Sequence, residues 1–139
     1  MLRFAMLLPF ALLIPTPATG AAEEVNATFL ACGAGKRITC VVDGDTFWLR
    51  GDKIRIADIN TPETHRPGCA VEAALGAQAK RRLTQLLNAG PFALESGKRD
   101  TDRYGRLLRT VTRSGKSLGE VLVTEGLAER WNGRRRNWC

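Results

Sequence analysis

The chain has one histidine, His65, and none of its four cysteines stands in a C-x-x-C pair. Structural zinc sites draw on Cys and His at short spacing, so a zinc module is disfavoured from the outset. Internal repeats and low-complexity segments are also missing, which excludes solenoid and array architectures. No apolar run reaches the ~20 residues that a membrane-spanning helix needs. The most apolar run, Phe4 to Ile14, follows the lone charge Arg3 and precedes small residues from Ala18 to Ala22. That grouping reads as a secretory signal peptide over residues 1–22, cleaved after Gly20 or Ala22, rather than as an anchor.

Acidic side chains are in deficit. Setting Arg3 aside leaves 20 basic against 14 acidic groups, a formal +6 on residues 23–139. The excess favours a polyanionic partner such as nucleic acid or an anionic envelope surface, although secreted proteins are also basic for solubility alone. Cys32, Cys40, Cys69 and Cys139 all follow the leader, and an even count in an exported chain reads as two disulfides. Three connectivities are open; the favoured one joins Cys32 to Cys40 and Cys69 to Cys139, which pins the C-terminus near the central loop. The expectation is a single monomeric domain, secreted or periplasmic, with no stable membrane insertion.

Residues 37–46 hold Ile38, Cys40, Val41 and Val42, a strand broken at D-G-D. Phe47 to Arg50 and Ile54 to Ile59 follow as a hairpin about Gly51-Asp52, because tight hairpin turns need positive φ. Pro62, Pro67 and Gly68 enforce a loop. Leu75, Ala79, Leu83, Leu86 and Leu87 recur at helical steps, and Asn88-Ala89-Gly90-Pro91 ends that helix. Phe92 to Ser96 reads as a fourth strand, Gly97 to Gly105 as a charged loop and Arg106 to Thr112 as a fifth strand. Ser117 and Glu120 form a capping box for a short helix over Leu118 to Glu125. The tail from Leu127 to Cys139 is rich in Arg and Trp. The fold class is α+β, mainly β: a small closed five-stranded OB-type barrel, with one helix after the third strand and a second short helix near the C-terminus.

Charge geometry singles out Val42 to Thr64. Asp43, Asp45 and Glu63 offer the oxygens that a hard divalent cation takes. Arg55 and Arg106 offer planar forks that match phosphate. Each piece also has an ordinary reading, since D-G-D-T is commonest as a turn whose aspartates bond to backbone amides. T-P-E-T serves equally as a turn before a helix, and D-R-Y-G-R as a charged loop. Arg55, flanked by Ile54 and Ile56 in a strand, is harder to dismiss.

V-V-D-G-D-T, I-R-I-A-D-I-N-T-P-E-T, a helix with V-E and L-G, T-D-R-Y-G-R and L-V-T-E-G-L-A follow one another between Cys40 and Trp131. In order and spacing this stretch resembles the staphylococcal nuclease (thermonuclease) family. The resemblance implies an OB-type barrel and calcium-dependent cleavage of DNA and RNA phosphodiester bonds. By motif position, Asp45 is the principal carboxylate ligand of one calcium ion, Thr61 contributes its backbone carbonyl, and Asp43 steadies the surrounding waters. Glu63 falls on the proposed general base, Arg55 and Arg106 on the two phosphate-clamping arginines, and Tyr104 on the tyrosine of the nucleotide pocket.

Two departures stand out. Asn60 occupies a position where the best-known members carry a second metal-binding aspartate; its carboxamide oxygen still ligates calcium, but with one negative charge fewer. Asp58, two residues earlier, is a substitute if it faces the same way. The tail W-N-G-R-R-R-N-W-C replaces a longer helical end, so Trp131, Trp138 and the run Arg134 to Arg136 are candidates for stacking and phosphate attraction, or for plain packing and solvation. The rival readings are a weakened protein of this fold that binds nucleic acid without cleaving it, and an envelope protein that uses its basic surface.

Overall fold

In Val41, Phe47, Leu49, Ile54 and Ile56 the apolar side chains recur every second residue, which turns one face of each strand inward. The computed structural model describes residues 12–16 and 22–139; most of the leader expected over residues 1–22 lies outside them. Ten strands and two helices follow in order: β1 (Glu24–Val25), β2 (Leu30–Ala31), β3 (Cys40–Asp43), β4 (Thr46–Leu49), β5 (Asp52–Ile56), β6 (Ile59–Asn60), α1 (Ala70–Asn88), β7 (Phe92–Thr101), β8 (Leu107–Arg113), β9 (Lys116–Ser117), α2 (Leu118–Thr124) and β10 (Glu129–Arg130). The main sheet runs β1-β7-β8-β5-β4-β3-β2, with β9 on β8, and β6 pairs with β10 separately. The β5–β8 and β2–β3 pairs are parallel and the others antiparallel.

This is an α+β fold, a mixed sheet curled into a half-barrel under two helices. Its hydrogen-bonded path ends at β1 and β2 rather than closing as expected, and five of its strands are only two residues long. Phe29, Phe47 and Phe92 meet at the centre with ring centroids 5.6 to 6.4 Å apart, and Leu83 and Leu87 of α1 and Leu122 of α2 complete the core.

Three expectations are corrected. The β4–β5 turn is centred on Arg50-Gly51, because Asp52 already pairs with Leu49. Both turn residues take positive φ, 50° and 90°, as the tightest hairpin turn demands. The segment expected as a loop from Gly97 begins instead as strand: β7 continues to Thr101, since backbone pairing with β8 does not need an apolar side chain, and a register shift between Ser96 and Thr101 absorbs the irregularity. Helix α1 starts at Ala70, five residues before its first periodic leucine, with Cys69 Sγ accepting the Glu72 N–H at 3.5 Å.

Cysteines pair as expected, Cys32 with Cys40 (Cα–Cα 4.8 Å) and Cys69 with Cys139 (6.0 Å). Two disulfides fit an oxidising compartment. No helix of the described residues is long and apolar enough to cross a membrane.

Two glycines set the approach of the loops that matter to α1. A Cβ on Gly44, in the D-G-D turn, would lie 2.6 Å from the Ala79 Cβ, and one on Gly76 would lie 2.8 Å from the Glu63 carbonyl oxygen. The helix therefore serves as the platform on which the D-G-D turn and the T-P-E-T loop both rest.

Candidate active site

At the D-G-D turn the Asp43 carboxylate accepts the Asp45 N–H at 3.1 Å, the ordinary turn bond. Asp45 is buried and fully engaged. Its Oδ1 accepts from the Thr46 hydroxyl at 2.9 Å, its Oδ2 from the Thr61 N–H at 3.0 Å, and Arg55 Nη2 lies 3.2 Å from Oδ2. The register Thr46↔Arg55 delivers that guanidinium across the strand pair. Its other arm donates to the Ile56 carbonyl and, at 2.8 Å, to that of Ile59, so Arg55 is fixed from three sides. Burial pushes the Asp43 carboxyl up to about 8, with the neighbouring Asp45 charge adding to it.

Asn60 is buried. Its Oδ1 faces Arg55 Nη2 at 3.4 Å and its Nδ2 donates to Glu129 Oε1 at 2.9 Å. Asp58, the possible substitute, turns away: it lies in the turn between β5 and β6, and its carboxylate accepts from the Ser117 hydroxyl at 2.6 Å at the start of α2. Glu63 is half-buried and pairs with Arg135 Nη1 at 2.7 Å. Arg106 Nε pairs with Asp102 Oδ2 at 2.7 Å. Burial works to raise the Asp102 carboxyl, but hydrogen bonds from Arg106 and Tyr104 outweigh it and hold the group below its usual range. Tyr104 is 67% exposed, its ring 5.4 Å from the Arg106 guanidinium and 4.8 Å from that of Arg103.

One open cavity of about 570 Å³ is lined by Asp43, Asp45, Arg55, Asn60, Glu63, Tyr104 and Arg106, with Arg135 and His65 at its edge. Seven of the eight residues singled out from the sequence thus share one cavity; Thr61 sits behind it, buried, bonded to Asp45. A second groove of about 530 Å³ shares Arg55, Tyr104, Arg106 and Arg135 and adds Trp131, which is 42% exposed. Trp138 packs instead, buried, with the Arg136 guanidinium 4.6 Å from its ring.

A family profile described as "Staphylococcal nuclease homologue" matches residues 53–137, well over half of the chain. The chain belongs to the staphylococcal nuclease family. Its relatives include endonuclease YncB of Bacillus subtilis, 41% identical over 92 residues (63% of this chain, 43% of the relative). The SPbeta prophage-derived endonuclease YokF of the same organism is 44% identical over 92 residues (63% and 31%). The thermonuclease of Staphylococcus hyicus is 33% identical over 96 residues (66% and 56%). The chain spans about a third to just over half of the length of these relatives.

Within this nuclease-family chain the profile begins at Lys53, so Asp43 and Asp45 stand outside it and join the site through geometry. No group of three His, Cys, Asp or Glu among the described residues is close enough to hold a metal. The donor set fits a hard cation nonetheless: two crowded carboxylates and an amide oxygen line one cavity, with the Asp43 carboxyl pushed up by burial and then by the Asp45 charge beside it. Three contributors were not legible from spacing. Asp102 aims Arg106, Glu129 orients Asn60, and Arg135 crosses the site to Glu63. The first was visible in principle as the aspartate four residues before Arg106; the other two come from the far end of the chain.

Proposed function

We propose that this protein is an exported, calcium-assisted nuclease that hydrolyses phosphodiester bonds of DNA and RNA with little sequence preference. The observation that carries the reading is the convergence of Arg55, Glu63 and Arg106 on one open cavity beside the Asp43–Asp45 pair. Names of relatives support it, two being called endonucleases and a third thermonuclease.

Glu63 accepts the proton of a water whose oxygen bonds to phosphorus as one ester P–O bond breaks, and the departing oxygen takes a proton from solvent. Extra negative charge develops on the phosphoryl oxygens in that step, and the guanidiniums of Arg55 and Arg106 answer it where it appears. Both are held in advance, Arg55 by carbonyls and Asp45, Arg106 by Asp102. Asp45, the Asn60 carboxamide and the Thr61 carbonyl would hold calcium, with Asp43 ordering its waters. The cation would add Lewis-acid charge at the same oxygens. Tyr104 offers an exposed ring against which a nucleoside packs.

The test is purified mature protein with single-stranded DNA, in calcium or in chelator. Chelator-sensitive cleavage that disappears in Glu63→Gln supports the enzyme. Tight binding without cleavage would replace it with the non-cleaving binder that Asn60 suggests.

A further inference from the structure

The outer face of the β3–β4–β5 ribbon carries a further cavity of about 570 Å³, distinct from the two just described. It is lined by Lys36, Arg37, Ile38, Trp48, Arg50 and Gly51. No carboxylate lines it. Three cations around an indole are the combination that takes a phosphate with its base.

The pocket is built rather than incidental. Cys32–Cys40 closes the loop that carries Lys36, Arg37 and Ile38. That loop is bonded to the β4–β5 turn twice, the Gly51 N–H to the Ile38 carbonyl at 3.0 Å and the Arg50 N–H to the Thr39 hydroxyl at 3.1 Å. Arg50 is fixed at φ 50° by the two-residue turn it shares with Gly51. Trp48 pairs in register with Cys40 on one side and Lys53 on the other, and Lys53 Nζ lies 5.9 Å from the indole centroid.

Lys53 also joins this pocket to the cleft, since it lines the catalytic cavity. The period-two pleat puts Lys53 and Arg55 on one face of β5, about 7 Å apart along the strand. Ile54 and Ile56 beside them face the core. A chain of phosphates leaving Arg55 along this face meets Lys53, then Trp48, then Arg50 and Arg37.

We propose that the Trp48 pocket is a subsite for single-stranded polynucleotide, binding a nucleotide remote from the cleaved bond by stacking on the indole and by phosphate contacts from Lys36, Arg37 and Arg50. It rests on the nuclease reading for its substrate, but is measured without cleavage. Equilibrium binding of a long single strand and of a dinucleotide is read in chelator for wild type, Trp48→Ala and the surface double variant Arg37→Gln/Arg50→Gln. Trp48→Ala weakens the long strand about ten-fold. The double variant lowers the log–log salt slope by about 1.4, or 0.7 for each lost phosphate contact. Dinucleotide binding is unchanged in both, and kcat with calcium is unchanged. Equal binding of the long strand by all three proteins overturns the subsite, as does loss confined to the arginine variant, which would reduce the patch to diffuse charge. A wild type that binds long strands through Trp48 yet cleaves nothing would keep the subsite and overturn the nuclease.

Discussion

Substituting Asn60→Asp would restore the second carboxylate of the best-known relatives, yet this structure predicts a cost before any gain. Asn60 is buried, and its Nδ2 donates to Glu129 Oε1 at 2.9 Å. An aspartate places a carboxylate oxygen there instead, facing another carboxylate. At an effective dielectric constant of about 20, two unit charges at that separation repel by about 6 kcal/mol, and by about 3 kcal/mol once the side chains relax to about 5 Å. The Arg55 guanidinium, 3.4 Å from the other oxygen but already paired with Asp45, offsets part of this, and a remaining loss of about 2 kcal/mol lowers Tm by about 7 °C in a domain of this size. In chelator, therefore, Asn60→Asp melts well below wild type. Calcium recovers part of the difference, since the added charge attracts the cation. Glu129→Gln in the same chain removes the repulsion and recovers most of the rest, and the two substitutions couple by about 2 kcal/mol or more in a double-mutant cycle. Thermal melts of the four proteins, with and without calcium, make the measurement. Equal stability of Asn60→Asp and wild type in chelator, or strictly additive effects with Glu129→Gln, would refute the reasoning.

Other expectations follow from the same contacts. Glu63→Gln lowers kcat about 100-fold or more while Tm stays near wild type, because the side chain is half exposed and its partner Arg135 remains solvated. In metal-free protein the folded state keeps a proton on Asp43 that the unfolded chain releases near its ordinary 3.8. Stability from this group is therefore fully present below about pH 4 and is lost as pH rises to about 8, so Tm in chelator falls over that window; Asp43→Asn flattens the slope. Removing Cys69–Cys139, which closes a 70-residue separation, destabilises by about 4 kcal/mol on the chain-entropy account, against about 2.5 kcal/mol for Cys32–Cys40 across 8, measurable by urea titration of the paired serine variants.

Much of the architecture was legible because local chemistry decided it. The leucine period marks α1 and the Ser117–Glu120 box starts α2, with Ser117 Oγ accepting the Glu120 N–H at 3.3 Å, whereas the four cysteines left three pairings open and only the structure selects one. The extent of β7 was hidden because Lys98, Arg99 and Asp100 advertise solvent, whereas they lie in an irregularity between the Ser96↔Arg109 and Thr101↔Leu107 pairs that β8 makes on either side. Asp58 looked interchangeable with Asn60 because the two stand two residues apart, but it lies in the turn before β6, outside the strand alternation, and its carboxylate accepts from Ser117 at the start of α2. Asp45, Arg55 and Glu63 could be grouped from sequence because one ribbon and its following loop carry them. Glu129 and Arg135 could not, since no spacing rule connects residues separated by 69 and 72 positions.

The contact between Arg135 and Glu63 would be weak if it stood alone, because exposed ion pairs contribute about 0–1 kcal/mol. Its setting alters that. Glu63 lies six residues before Cys69 and Arg135 four before Cys139, so the disulfide joins the two partners through a short covalent path. Within such a tether, encounter no longer depends on the whole domain staying docked; it is set by an effective concentration in the millimolar range or above. The sulfur–sulfur bond thereby converts a passing surface attraction into a standing local population of guanidinium beside the carboxylate, available whenever Glu63 is.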